Sequence, residues 1–272
     1  MIRSPFRDLP REVSILVAAS FFVAVGFGII MPAIPVFAKS FGVNNAAIGL
    51  MVSAFAITRF ASGLISGTMV DKFGERKVFS TGVFMVSLFT FLAGVAQNYE
   101  QLLFFRAAGG LGSSMFSVAA SSVIMRSVSD DQRGHAQSVY QGSFIVGGMA
   151  GPAIGGLLSV ISLRAPFFVY SVLLFCSGLV ALFFLKGDSI GAKVKNSESD
   201  GATTIREALA MPPYRIALVL AFIGTWVFFG MRASILPVFV TEELGSTTAI
   251  VGYGLAISAM VQGAILLRAG RY

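Results

Sequence analysis

Apolar residues run through this chain in long, nearly unbroken stretches, near 13–37, 46–70, 78–97, 102–126, 136–160, 165–186, 215–240 and 249–267. Each is about the length of the ~20-residue helix that crosses a ~30 Å hydrocarbon core. Barrel strands would be shorter and would alternate apolar with polar positions, which these do not. The pattern predicts an all-α integral membrane protein with eight transmembrane helices. The N-terminus is basic and then apolar, as in a signal peptide, but the apolar run is too long for one, so it reads as a retained first span. Most loops are short. The exception, "KGDSIGAKVKNSESDGATTIREALAMPPY" (186–214), is polar and charged, with room for a short amphipathic helix near 203–211. It divides the chain into a six-helix bundle (1–186), a linker (187–213) and the first two helices of a second bundle (214–272).

Composition narrows this further. The chain is 56% hydrophobic and 12% charged, whereas soluble chains average roughly 25% charged residues. A net charge of +7 would point to nucleic acid in a soluble protein, but here the basic residues mark topology. With the N-terminus in the cytoplasm, fifteen Lys and Arg fall in inside loops and ends, and only Lys39 and Arg164 outside. That asymmetry satisfies the positive-inside rule and predicts a multi-pass protein of the cell membrane. Cys176 is the single cysteine and His135 the single histidine, so neither a disulfide nor a Cys/His metal cluster is expected; Cys176 reads as a small buried residue. There is no nucleophile–His pair, metal cluster or phosphate loop, so no enzyme and no cofactor is expected.

The two sides of the linker resemble each other. In "FGIIMPAIPVF" (27–37) and "FGMRASILPVF" (229–239), Gly28, Pro35, Val36 and Phe37 match Gly230, Pro237, Val238 and Phe239; Gly42, Gly49 and Gly67 then match Gly245, Gly252 and Gly270. Parallel repeats of this kind build several transporter folds, with the substrate path between the halves. The same alignment gives Asp71 no counterpart before Tyr272, which implies a sequence that is incomplete or cut short.

Between the second and third stretches lies "GTMVDKFGERK" (67–77), where Asp71, Lys72, Glu75, Arg76 and Lys77 interrupt the apolar pattern. This resembles the signature loop of the major facilitator superfamily, Gly-x-x-x-Asp-Arg/Lys-x-Gly-Arg-Arg/Lys, with Gly67, Asp71, Lys72, Gly74 and Arg76 fitting and Glu75 standing where a base is usual. "LLFFRAAGGLGSS" (102–114) resembles the fourth-helix motif, with Arg106 as its arginine. "GGMAGPAIGG" (147–156) resembles the fifth-helix motif of drug/proton antiporters, carried by Gly147, Gly151, Pro152, Gly155 and Gly156. "MPAIPVF" (31–37) resembles the first-helix proline pair of those exporters, Pro32 and Pro35. The resemblance implies a major-facilitator-type helical bundle that exports small organic compounds by proton antiport. It implies that the charged loop latches one conformation, with Glu75 disturbing the usual ion pair. The physical reading is compatible: Gly67 permits close helix approach, Gly74 a tight turn, and Pro152 a bend. The glycines of the fifth helix form two smooth stripes, suited to packing against Gly252, Ala256, Ala259 and Gly263 of the eighth.

Three arginines, Arg59, Arg106 and Arg232, fall inside the spans, and no Asp or Glu does. Arg59 lies mid-span, where a cation costs a few kcal/mol unless it faces a wet interior. Arg106, nearer the outer end, either snorkels or, as the fourth-helix resemblance implies, serves the proton path or the substrate. Gln141 and Gln262, with Tyr140, Ser143 and many phenylalanines, are candidates to line a cavity, although phenylalanine also serves as lipid-facing surface. A proton carrier is then expected in helices beyond this chain, at Asp71, or nowhere. Three cations without an acid make a carrier of organic anions the runner-up reading, and a shortened chain that transports nothing is the remaining alternative. Small organic solutes, protons and the bilayer are the expected partners; nucleic acid is not.

Overall fold

The computed structural model describes residues 9–185 and 205–227, together with Leu244, Ile257, Ser258, Val261 and Ile265. The second-bundle residues Arg232, Pro237, Gly252, Gln262 and Gly270 lie outside the described residues. The chain divides into two compact units, one holding residues 9–185 and the other 205–227. The second contains a short helix α9 (Ile205–Ala210), at the place expected for the linker helix, and an apolar helix α10 (Pro212–Thr225) that opens the expected seventh span.

In the first unit every apolar stretch is helical, but two spans are broken. The first is α1 (Arg11–Ile30) followed by α2 (Ala33–Lys39). Pro32 and Pro35 have no N–H to give to Gly28 or Met31, and the helix lapses at Met31 and Pro32 while both residues stay helical in φ and ψ. The second span is α3 (Asn45–Ala61) and α4 (Gly63–Phe73), bent by 46°. No proline explains that bend. Ser62 Oγ donates to Thr58 O at 2.7 Å, and Ser66 Oγ reaches Ser62 O at 2.8 Å. Hydroxyls bonding back to carbonyls four residues earlier loosen and bend a helix, and Gly63 follows directly.

The remaining helices are α5 (Glu75–Val95), α6 (Tyr99–Ser127), α7 (Asp130–Ile161) and α8 (Ala165–Phe184). Among the described residues α1, α5, α6 and α8 are each long and apolar enough to cross a membrane, as are α3 and α4 together. At 32 residues, α7 rises ~48 Å, longer than a ~30 Å hydrocarbon core. Sequence signals place several ends: Asn44 caps α3 by accepting from Ala47 N–H at 2.9 Å, and Asn98 caps α6 by accepting from Gln101 N–H at 2.9 Å.

α1 packs on α7 and α8, α5 on α6 and α8, and both α3 and α4 lie along α6. Backbones touch where glycines face each other. A Cβ added to Gly151 of α7 would strike the backbone of Gly28 in α1, and one added to Gly155 would strike the Ile29 carbonyl. At the α5–α6 crossing, Gly82 and Gly112 stand in the same relation. Without a hydrophobic force between helices in lipid, such close contact supplies the attraction.

The antiparallel pair α5 and α8 is pinned at three heights. Arg76, at the start of α5, donates through Nε to Leu182 O in the last turn of α8 at 2.8 Å. Arg164, which caps the start of α8, donates to Gly94 O in the last turn of α5 at 2.9 Å. Between them Ser87 Oγ and Ser171 Oγ each donate to the other's carbonyl, at 2.8 and 2.9 Å. From Arg76 to Ser87 to Gly94 the steps are eleven and seven residues, as they are from Leu182 to Ser171 to Arg164. Each arginine thus neutralises the negative end of the other helix. The buried stripe of α8 runs through Phe167, Tyr170, Leu174, Ser177 and Ala181. Cys176 falls off that stripe and is exposed, contrary to the burial expected of it.

Replacing Gly151 with valine is expected to destabilise the unit by about 1–3 kcal/mol, the usual range for overpacking. Thermal unfolding in detergent checks this, with Gly134→Ala, where an added Cβ meets nothing within 4 Å, as the neutral reference.

Candidate functional site

The charged turn joins two helices through a single residue. Gly74 ends α4 and starts α5 with φ 83° and ψ 157°, a conformation open to glycine and strained for an L side chain. Its N–H donates to Val70 O at 2.8 Å, and its carbonyl accepts from Val78 N–H at 3.2 Å. The turn brings Asp71, in the last turn of α4, beside Glu75, the first residue of α5. Arg126, in the last turn of α6, reaches both: Nη2 lies 2.9 Å from Asp71 Oδ1 and Nη1 lies 2.6 Å from Glu75 Oε1. Glu75 at a helix start and Arg126 at a helix end each sit where the local dipole favours their charge. The carboxylates differ in setting, with side-chain exposures of 72% for Asp71 and 2% for Glu75. Glu75, read from the sequence as disturbing an ion pair, is the buried member of one.

Around this turn Lys72 is exposed, its ammonium 5.4 Å from the Phe73 ring centroid, and Arg76 is committed to α8. An added Cβ on Gly67 would meet nothing within 4 Å among the described residues, so the close approach expected there is not made within this unit.

The second polar feature is the seam between α3 and α6. Thr58 Oγ1 lies 2.7 Å from Ala107 O, nearer than to Ala54 O at 2.9 Å or Phe55 O at 3.1 Å, so its proton bridges the helices. Further along, Ser66 Oγ lies 3.1 Å from Ser114 Oγ. Arg59 Nη2 donates to Ser117 Oγ at 3.0 Å, and Ser117 Oγ in turn donates to Ser113 O at 2.7 Å. Arg106 is 7% exposed, with its guanidinium 4.6 Å from the Phe55 ring centroid and no hydrogen-bond partner for Nε among the described residues. It therefore packs inward rather than snorkelling. Among the described residues the ion pairs are those of Arg126 and the pair Arg133–Asp130, all at the end of the bundle that carries the charged turn. None reaches Arg59 or Arg106.

The proposed fifth-helix residues divide by face. Gly147, Gly151 and Gly155 press on α1, whereas a Cβ on Gly148 or Gly156 would meet nothing within 4 Å among the described residues. Pro152 is in the same helix. Gln141 is exposed, and Tyr140 is buried against Phe144 with ring centroids 5.4 Å apart. Pro32 and Pro35 are exposed at the α1–α2 break. Arg232 and Gln262 lie outside the described residues.

The pattern that defines the Major Facilitator Superfamily matches residues 16–272. This chain belongs to that superfamily. Among its relatives is Multidrug resistance protein 2 of Bacillus subtilis, 25% identical over 260 residues that cover 92% of this chain and 64% of the relative. Another is Quinolone resistance protein NorA of Staphylococcus aureus, 26% identical over 224 residues that cover 78% of this chain and 55% of the relative. The chain thus spans less than two thirds of the length of these relatives. The crystal structure of the human organic anion transporter MFSD10 (TETRAN) superposes with a TM-score of 0.77 at 17% identity, covering 96% of this chain and 72% of that one. At that identity the likeness speaks to the fold, an all-α major-facilitator bundle. The chain is accordingly a multi-pass membrane protein.

Within this superfamily member, Arg126, Ser117 and Phe55 complete sites of which the sequence had marked only one side. Arg126 was open to recognition as the last base of an apolar helix that returns to the charged face; the contacts of Ser117 and Phe55 left no such mark. Glu75→Gln is expected to lower stability by about 1–3 kcal/mol, because it leaves Arg126 with one exposed partner. Asp71→Asn should cost less than about 1 kcal/mol, as for other exposed pairs. Paired unfolding curves of the two variants check the order.

Proposed function

We propose that this protein is a secondary active transporter of the cell membrane that exports small organic compounds by alternating access, in exchange for protons. The observation that carries the reading is membership of the superfamily together with relatives named for multidrug and quinolone resistance. In this reading the N-terminus is cytoplasmic, residues 1–186 form one bundle, 187–213 a linker, and 214–272 the start of a second bundle. The charged turn, with Gly67, Asp71, Lys72, Gly74 and Arg76, latches one conformation. Asp71 suits that part because its carboxylate is mostly exposed while Glu75 keeps Arg126 paired. The helix carrying Gly147, Gly151, Pro152, Gly155 and Gly156 acts as the gate, held to α1 by one glycine face and free on the other.

A second reading, a carrier of organic anions, is favoured by one observation: Arg59 and Arg106 lie inside spans with no ion-pair partner among the described residues.

Proteoliposomes carrying the protein test the first reading. With an acidic lumen, ethidium should accumulate several-fold over protein-free vesicles, and a protonophore should abolish the gain. Accumulation indifferent to the protonophore removes proton antiport, and no accumulation removes cationic drugs as substrates.

A further inference from the structure

We propose that Arg59, held against Ser117, is a binding station for the anionic group of an organic solute, and that Arg106 is a fixed positive wall that the solute does not touch. This rests on the transporter reading and adds a substrate charge to it.

The two arginines differ in exposure: Arg59 is exposed at the surface of the unit and Arg106 is buried. A guanidinium carries five N–H donors in a planar fork. Among the described residues Arg59 uses one of them, on Ser117 Oγ at 3.0 Å, and its side chain is exposed at the surface of the unit. The bond fixes the direction of the group and leaves an edge able to bind a carboxylate or sulfonate in bidentate fashion. Ser117 is itself oriented by donating to Ser113 O at 2.7 Å. The backbone beneath is fixed as well, because Thr58 is tied to Ala107 O at 2.7 Å. Arg106 is buried, with its face covered by Phe55 at 4.6 Å; it adds positive potential from behind the surface.

Position supports the same assignment. Arg59 lies twelve residues before Asp71 along the bent span, which is ~18 Å of helix from the charged turn. A cation at that depth does not face hydrocarbon when it can face water or a counter-charge. Among the described residues the acids that form ion pairs are all at the charged end, and none gives Arg59 a counter-charge.

Binding of carboxyfluorescein to the purified protein in detergent, followed by fluorescence anisotropy, tests this without any need for transport. The wild type should bind saturably. Arg59→Gln should weaken binding at least about tenfold, the effect expected from losing a charged hydrogen-bonding partner. Arg59→Lys should recover part of the loss, Ser117→Ala should weaken binding a few-fold, and the exposed outer-loop variant Lys39→Gln should leave it unchanged. Unfolding curves establish that each variant is folded, and Arg59→Lys keeps the test decisive if Arg59→Gln does not fold. Absence of saturable binding by the wild type overturns the proposal, as does equal affinity in wild type and Arg59→Gln or a loss in Lys39→Gln as large as in Arg59→Gln. Because ethidium accumulation is scored separately, failure of the anion station and failure of the export reading give different results.

Discussion

In hydrocarbon there is no water to finish an unfinished hydrogen bond, and that constraint shapes each irregularity of this bundle. Polar side chains gather at several of the irregular points of the helices. At Ser62 the hydroxyls of Ser62 and Ser66 bond back to carbonyls of the preceding turn. At Gly74 one residue serves both helices, closing α4 with its N–H and opening α5 with its carbonyl. The arginines obey the same rule at helix ends, where Arg76 and Arg164 take carbonyls that have no amide beyond them. Polar side chains here serve first to complete the backbone, and only those left over are free for other work.

That division separates the two polar regions. At the charged turn Arg126 divides its fork between two carboxylates, and both helix dipoles favour the arrangement. Along the α3–α6 seam the hydroxyls are spent but the guanidiniums are not. A structural salt bridge and a poised cation are therefore told apart by how many of their N–H groups are occupied, more than by the residue type.

Much of the architecture was legible in the sequence because length and apolarity are what a bilayer demands. The long apolar helices of the first unit, the short helix at Ile205–Ala210 and the glycine needed at position 74 all follow from local chemistry. What escaped depends on partners far along the chain. Nothing near Glu75 announces that Arg126, 51 residues on, reaches it. The bend at Ser62 carries no proline. Cys176 is small and apolar enough for either face of α8, and only the packing stripe decides. Arg106 stood between snorkelling and burial until the ring of Phe55 was placed against it.

The matched spacing of the α5–α8 bonds has a mechanical consequence. Sliding one helix along the other by a single residue would break the bonds at both ends and in the middle together, since all share one register. Tilting about the Ser87–Ser171 pair would strain only the ends, where long arginine side chains can follow. The pair therefore resists shear far more than it resists pivoting, and behaves as a strut with one hinge pin at its centre. Any rearrangement of this unit can carry α5 and α8 as one rigid body, with the sliding confined to contacts such as Gly28–Gly151, where smooth backbone meets smooth backbone.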